Sequence, residues 1–562
     1  MDNYAIADNF SLLSKLMEIH GENSFKAKSY AIAAFNIEKL PKQLKDSSIE
    51  EISHIKGIGE AIAGKIHQLL ETGKLPLLEK YLQDTPPGLI EMLQIKGLGP
   101  KKIAVIWKEL EIENLGELLY ACNENRLMLY KGFGQKTQDN IGQAIEFYLN
   151  NQGRLLYAQA ETYALALEKR WQELFHPASL SLTGAFRRNA EIIDELEFVI
   201  AETPEAIRSK LTGELALLEE QDHELLLEGP EKIKIKVYSC SAESFAWKLL
   251  ATTGSPAFLE KFNTHTGGKI ISAGTEGAIF QEANLSFIEP CLREGGNEIA
   301  LAKADRLPEL ITVKDIKAII HSHSNWSDGA CPLEDMATAC RDQGFEYLVI
   351  SDHSQVAVYA NGLKPDRVKA QHQQIDELNE KLAPFKIFKS IESDILNDGN
   401  LDYPEPVLKT FDLVIASVHS NLKMTEEKAM ARLMKAIENP YTTILGHMTG
   451  RLLLSRNGFP VDHKKIIDAC IAHQVVIELN AHPRRLDMDW RWIPYALENG
   501  ALISIDPDAH SIEGFTVIKY GTLAARKGGL TKNRNLSSFS LREFEAFLAD
   551  RKKSRGNEPT HP

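Results

Sequence analysis

The 562-residue chain has six cysteines, Cys122, Cys240, Cys291, Cys331, Cys340 and Cys470, and no two form a CxxC pair. That scatter excludes a disulfide framework and a cysteine-type zinc finger. No stretch is long and apolar enough to span a membrane as a helix. The opening MDNYAIADNF lacks a basic region followed by an apolar core, so no secretory signal is read. A cytoplasmic protein with no membrane partner is therefore expected. Positive charge is also in deficit: 64 Lys and Arg stand against 78 Asp and Glu, a net charge of −14. Any contact with nucleic acid must then be local. Beyond these absences, 43% hydrophobic and 25% charged residues are ordinary for a globular protein, and the length suits three or four domains.

What the chain does have is a repetition in its C-terminal half. Seven apolar, β-branched runs each end at a residue able to bind a metal. IKAII precedes His321 and His323, YLVIS precedes Asp352 and His353, and KIFKSI precedes Glu392. FDLVIASV precedes His419, TTILG precedes His447, VVI precedes Glu478, and ALISID precedes Asp508 and His510. Such runs read as strands buried on both faces of a parallel sheet. Helix-like stretches between them, PLEDMATACRDQG and DRVKAQHQQIDELNEKLAP, imply an α/β barrel or doubly wound domain. In a βα-barrel the strand ends converge on one face, which would gather these residues. His321, His323, Asp328, His353, Glu392, His419, His447, Asp508 and His510 mix imidazoles with carboxylates, a donor set for Mn, Zn or Fe rather than Mg or Ca. Nine donors exceed the capacity of one ion, so a cluster of two or three divalent ions is expected. A single histidine of this kind is ordinarily a core or surface residue; the recurrence at strand after strand is what favours ligation.

The N-terminal region repeats a different device. IKGIGE (55–60), IKGLGP (95–100) and YKGFGQ (130–135) are each followed by a helical stretch. The pairs Gly57 and Gly59, Gly97 and Gly99, and Gly132 and Gly134 permit tight turns whose backbone can approach a phosphate at a helix N-terminus. Lys65, Lys101, Lys102 and Lys136 stand near these turns and could pair with neighbouring phosphates. Such contacts hold DNA without reading its sequence. Glycines alone would make a turn; three copies with an apolar residue between the glycines resemble helix-hairpin-helix motifs.

ENSFKAKSYAIAAFNIEKLP, the hairpins, TGAFRRNAEIIDELEFVIA, IEPCLREGGNEIALA, ELNAHPRRLDM and the ligand pattern occur in an order that resembles bacterial family-X DNA polymerases with a C-terminal PHP (polymerase and histidinol phosphatase) domain. The resemblance implies a multidomain chain. A lyase-like helical domain would occupy 1–82, a fingers-like segment 83–150, an α+β palm and thumb 151–312, and a PHP barrel of seven strands 313–550. A disordered basic tail would cover 551–562. It also implies a trinuclear centre: His321, His323, Glu392 and Asp508 around one ion, Glu392 bridging to a second held with His419 and His447, and Asp328, His353 and His510 around a third. Glu478 and Asn480 would orient ligands. Arg451 and Arg484 or Arg485 are candidate phosphate clamps, with a structural role the favoured alternative. Lys65 matches the family's Schiff-base lysine, although phosphate contact is the preferred reading.

The chain departs from that family in the palm. Gly184 is kept, Ala185 replaces a serine, and Phe186, Arg187 and Arg188 are retained. The paired metal-binding aspartates align with Glu195 and Glu197, and the strand expected to carry a third acid presents Lys234 and Lys236. A carboxylate displaced by about 1 Å can lower a rate on the order of 10²-fold. The expected activity is therefore metal-dependent hydrolysis of DNA by a monomer acting on gapped or single-stranded 3′ ends, a 3′→5′ exonuclease, with abasic-site cutting or 3′-end trimming also in view. The alternatives are a PHP small-molecule phosphatase carrying a DNA-binding module, an active gap-filling polymerase, and, last, a non-catalytic DNA-binding protein.

Overall fold

The computed structural model describes residues 1, 3–38, 40, 43–150, 153–211, 215–229 and 232–556. The chain forms two compact units, Met1–Leu149 and Asn150–Pro562.

The first unit is helical. Its helices bury apolar residues at helical spacing; Glu60–Thr72, for example, buries Ile62, Ala63, Ile66 and Leu69 and ends on Gly73 in the left-handed region. One apolar core runs from Ile6 to Ile145, so residues on both sides of position 82 share it. Each glycine hairpin precedes a helix, respectively Glu60–Thr72, Pro100–Lys108 and Gln135–Asn150.

The second unit begins with short strands β1 (Leu155–Leu156), β2 (Leu180–Leu182), β3 (Ile192–Ile193), β4 (Leu196–Ile200), β5 (Ala216–Gln221), β6 (Glu224–Glu228) and β7 (Lys234–Ser239). Five of them form a mixed sheet in the order β2-β4-β7-β6-β5. Helices then lead to β8 (Ala318–Ser322), β9 (Tyr347–Ile350), β10 (Lys386–Lys389), β11 (Glu392–Asp394), β12 (Ile415–Ser417), β13 (Ile444–Leu445), β14 (Val476–Asn480) and β15 (Ile503–Asp506). Each of the seven apolar runs contains a strand. The third run is divided: β10 pairs with β9, and β11, two residues later, pairs with β12. The result is a three-stranded and a five-stranded parallel sheet. Isolated bridges link the two sheets: His353, just beyond the central strand β9, with Glu392 on β11, and Ser322 on β8 with Ala509 just beyond β15.

These strands are apolar without alternation because both faces are covered. Ile319, Leu348 and Ile350 belong to one apolar layer, whereas Ala318, Ile320, Tyr347 and Val349 belong to another. The C-terminal helix Leu541–Gly556 seals the second layer with Phe544, stacked on Tyr347 at 4.6 Å, and Leu548. The segment read as a basic tail thus begins as helix: Arg551 is buried and donates to the Thr442 carbonyl at 2.7 Å. An apolar face upstream anchors residues whose own composition reads as disordered; positions 557–562 lie outside the described residues.

The hairpins carry a stability prediction. Gly57 and Gly97 have φ of 83° and 93°, where a Cβ costs about 1–2 kcal/mol. A Cβ at Gly97 meets open space, but at Gly57 it would lie 2.6 Å from Asn36 Nδ2. Gly97→Ala should therefore destabilise the protein by the backbone term alone and Gly57→Ala by more, as read by denaturant unfolding of the N-terminal unit. Equal effects would contradict the packing described.

Candidate metal centre and nucleic-acid interface

The candidate centre stands at the C-terminal ends of the parallel strands. Irregular pairing of β8 with β9 between Ile319 and Ser322 re-aims the chain where His321 sits. His321 and Asp508 both adopt left-handed backbone, φ 60° and 53°, a conformation that non-glycine residues hold only when surrounding structure imposes it. The Ser322–Ala509 bridge, together with the Ala509 N–H donated to the His321 carbonyl at 3.3 Å, ties the two segments together.

All nine candidate ligands come together. His321, His323, Glu392 and Asp508 form one set whose donor atoms lie within 4.8 Å of one another; His323, Asp328, His353 and His510 form a second; His353, Glu392 and His419 form a third. Glu392 is the hub. Its Oε1 lies 3.3 Å from His321 Nε2 and 3.0 Å from Nε2 of both His419 and His447, and its Oε2 lies 3.0 Å from His353 Nδ1. His323 Nε2 approaches Asp508 Oδ1 at 3.0 Å, and His353 and His510 flank Asp328 at 3.5 and 3.4 Å. Two positions differ from the expected division. His323 belongs to two sets, and His353 faces Glu392 as well as Asp328.

The donors fit a metal cluster better than they fit one another. Among the described residues, His321 Nε2, His323 Nδ1, Asp328 Oδ2, both His353 nitrogens and Glu392 Oε2 are buried and find no hydrogen-bond partner. Buried polar atoms are ordinarily bonded, so convergent atoms at 3–4 Å with the wrong angles for hydrogen bonds suit cations among them. Electrostatics agree. Burial would raise the carboxyl pKa of Glu392, yet His419, His321 and His353 hold it well below the usual range. Asp508 is likewise held low against burial, chiefly by His321 and His323. Burial favours the neutral form of His419, but Glu392 and Asp394 raise it to about 10. His323, buried beside His510 and His353, is lowered to about 3. The pocket therefore holds carboxylates as anions and calls for positive charge.

Glu478 and Asn480 sit behind the donors. Glu478 Oε2 lies 2.6 Å from His321 Nδ1, and its Oε1 accepts from the His447 N–H at 3.1 Å and from Asn480 Nδ2 at 3.0 Å. Asn480 Nδ2 also donates to Asp508 Oδ2 at 3.1 Å. Partners of this kind fix the ring orientation of ligating histidines. Arg451 is committed internally: Nε donates to the Arg485 carbonyl at 2.9 Å, Nη2 to the Leu486 carbonyl, and Nη1 to Asp489 at 2.6 Å. That commitment favours its structural role over a phosphate clamp. Arg484 and Arg485 are buried, with Arg485 Nε 4.0 Å from Asp508 Oδ2.

Asp394 escaped the sequence reading, and Asp352, noted at the end of its run, was left out of the ligand set. Asp394 faces His419 Nδ1 at 3.3 Å; its place two residues after Glu392 on one strand was the available signal. Asp352 accepts from Ser324 N and Oγ, Ser327 Oγ and Gln371 Nε2, anchoring the loop that carries Asp328.

In the first unit, Gly132 shares the positive φ of Gly57 and Gly97, and Ile58, Leu98 and Phe133 plug the core between the glycines. Gly59 and Gly99 cap the following helices with no side-chain hydrogen bond to the first turn, leaving N–H groups for an anion. Lys101 and Lys136 are exposed; Lys102 Nζ reaches the Gly97 carbonyl at 3.0 Å, and Lys65 Nζ the Ala61 carbonyl at 3.3 Å. Near the palm-like sheet, Glu197 pairs in register with Lys236 and accepts from Ala185 N–H at 3.2 Å and Tyr238 OH at 2.8 Å. Burial and Glu197 raise the Glu195 pKa, against Lys236 and Lys234. Arg187 grips Glu276 at 3.0 and 2.5 Å, and Arg188 bonds Glu294 and the Thr253 carbonyl.

Comparison with known proteins agrees with this geometry. Residues 1–75 match a helix-hairpin-helix domain model and residues 320–482 a PHP domain model; PHP domains bind metals. A protein named DNA polymerase/3'-5' exonuclease PolX, from Bacillus subtilis, is 33% identical over 559 residues, 95% of this chain and 96% of that one. A probable phosphatase of Thermoanaerobacter sp. is 27% identical over 191 residues, 32% of this chain and 75% of its own. DNA polymerase lambda of Arabidopsis thaliana is 24% identical over 201 residues, 35% of this chain and 34% of its own. With the hairpin unit, the palm-like sheet and the PHP centre in the same order along nearly its whole length, the chain belongs to the PolX family of DNA polymerase/3'-5' exonucleases.

Proposed function

We propose that this chain is a metal-dependent DNA phosphodiesterase, a cytoplasmic 3′→5′ exonuclease acting in DNA repair, whose polymerase site has lost its function. The observation that carries the reading is the buried convergence of His321, His323, Asp328, His353, Glu392, His419, His447, Asp508 and His510 in one chain with three glycine hairpins, the first within a helix-hairpin-helix match. His321, His323, Glu392 and Asp508 would hold one divalent ion, Glu392 with His419 and His447 a second, and Asp328, His353 and His510 a third. Mn or Zn suits this donor set. When bound, the ions supply Lewis acidity that acidifies water and neutralises charge on a phosphodiester. The protein's own contribution is orientation. Glu478 fixes the His321 ring through Nδ1, Asn480 aims Asp508, and Asp352 anchors the loop that bears Asp328. We read the two parallel sheets, with the bridges between them, as one distorted barrel in which the seven expected strands become eight, because β10 and β11 are separate segments.

The hairpins of the first unit would hold the DNA backbone without sequence preference. A small-molecule phosphatase has no use for that grip, which favours DNA over the activity named for the shorter relatives. In the palm, the Glu197 carboxylate fills the space above Gly184 and is bonded to Ala185 and Tyr238. Lys236 beside it and the internal ion pairs of Arg187 and Arg188 leave little there for two cations or a triphosphate.

On 5′-labelled single-stranded and gapped DNA supplied with Mn²⁺, the protein should release nucleotides from the 3′ end, and chelator should abolish release. His321→Ala should lose this activity while Gly57, Gly97 and Gly132 replaced together raise KM for DNA and spare a small chromogenic phosphodiester. Hydrolysis of phosphate monoesters with none of DNA would overturn the assignment. In the His321→Ala background, where product cannot be degraded, primer extension on gapped DNA should be negligible; robust template-directed incorporation would restore the polymerase reading.

A further inference from the structure

The turn between β14 and the helix Ile493–Glu498 touches at once the strand that carries Glu478 and Asn480 and two ligand-bearing segments. It folds back on β14: Asn480 N–H donates to the Asp487 carbonyl at 2.6 Å and Met488 N–H to the Glu478 carbonyl at 3.1 Å. Asp487 Oδ2 accepts from Thr449 N and Oγ1 at 3.0 and 2.9 Å, two residues beyond His447. Arg485 Nε lies 4.0 Å from Asp508 Oδ2. Movement of this turn would therefore disturb Glu478 and Asn480, the His447 segment and Asp508 together.

The turn's outer end is held from elsewhere in the unit. Arg451 spans it, bonding the Arg485 and Leu486 carbonyls and reaching Asp489 at 2.6 Å. Asp489 in turn accepts from Arg491 Nη1 at 2.9 Å. Arg491 Nη1 and the buried Trp490 Nε1 both donate to one oxygen of Glu191, at 3.0 and 2.9 Å. Glu191 is itself buried and belongs to the palm-like region, immediately before β3. Lys527 reinforces the seam: its ammonium lies 4.6 Å from the Trp490 ring centre and bonds the Arg188 carbonyl at 2.8 Å and Glu294 at 2.5 Å. A second seam contact, Lys519 and Tyr520 on Glu161, bonds none of the residues 482–489.

From this chain of contacts we infer that Glu191 is a positioning residue for the metal centre: the palm-like region, through Trp490, Arg491, Asp489 and Arg451, sets the turn 482–489 that aligns Glu478, Asn480 and Asp508. The palm is then a bracket for hydrolysis, which explains why Arg188 serves the seam rather than an open nucleotide site. The inference rests on the metal-dependent reading above.

Mn²⁺ titrated into metal-free full-length protein, with hydrogen exchange followed across 482–489, tests it. Glu191→Ala should weaken Mn²⁺ binding roughly tenfold, the lower end for loss of an outer support of ligands. It should also raise exchange in that turn and lower kcat on DNA with KM unchanged. Glu191→Gln keeps the shape and one acceptor, should fall between, and serves if the alanine variant does not fold. Lys519→Ala should leave Mn²⁺ binding and exchange in the turn at wild-type values. Wild-type Mn²⁺ affinity and exchange in both Glu191 variants would overturn the inference alone, as would an equal loss in Lys519→Ala, which would mark general loosening of the seam. Failure of the wild-type protein to bind Mn²⁺ would instead overturn the functional reading on which it rests.

Discussion

Glu392 is a carboxylate removed from water and surrounded by imidazoles at 3.0–3.3 Å from His321, His353, His419 and His447. Burying an ion costs several kcal/mol even after relaxation, so such a group persists only with compensating charge. Asp328, Glu478 and Asp508 are buried in the same volume. That constraint organises the unit. Ligand-bearing strand ends must converge, β8 must bend to aim His321, and His321 and Asp508 must hold left-handed backbone. The outer partners, Glu478 to His321 and Asn480 to Asp508, then limit each donor to one orientation.

The same economy of charge separates grip from chemistry along the chain. A net charge of −14 gives no general attraction to nucleic acid, and the helices after the first two hairpins start on Gly59 and Gly99 with no side-chain hydrogen bond to their first turn. In the palm the logic is reversed. Glu195 and Glu197 have lysines for neighbours, and the retained arginines are spent on Glu276 and Glu294. An anionic pocket suited to cations lies at the ends of the parallel strands, whereas the Glu197 carboxylate on β4 is bonded to Ala185 and Tyr238.

Much of this was legible in the residues, for physical reasons. Strands covered on both faces show as unbroken apolar runs, which is why seven runs revealed seven stretches of sheet and the donors at their ends. Glycines at φ near 90° with a buried Ile58, Leu98 or Phe133 between them mark hairpins by necessity. What stayed hidden depends on distant contacts. Nothing in KIFKSIESD says that Lys389 pairs back to β9 while Glu392 pairs forward to β12. The end of the last helix is basic and reads as solvated, but Phe544 and Leu548 dock it. The structural role preferred for Arg451 gains its content only from three internal acceptors that no local pattern names. Glu191 lies about 300 residues from Trp490, and no local pattern could have paired them.

Divalent cations would be held around the Glu392 carboxylate. Crystals of the full-length protein soaked in Mn²⁺ and measured at the manganese absorption edge would test it most directly. Two or more anomalous peaks should appear among His321, His323, Asp328, His353, Glu392, His419, His447, Asp508 and His510, with Glu392 shared between peaks. In Glu392→Gln crystals the shared peaks should weaken or vanish. An absence of manganese from this cluster, or ions bound equally well without the Glu392 carboxylate, would contradict the account.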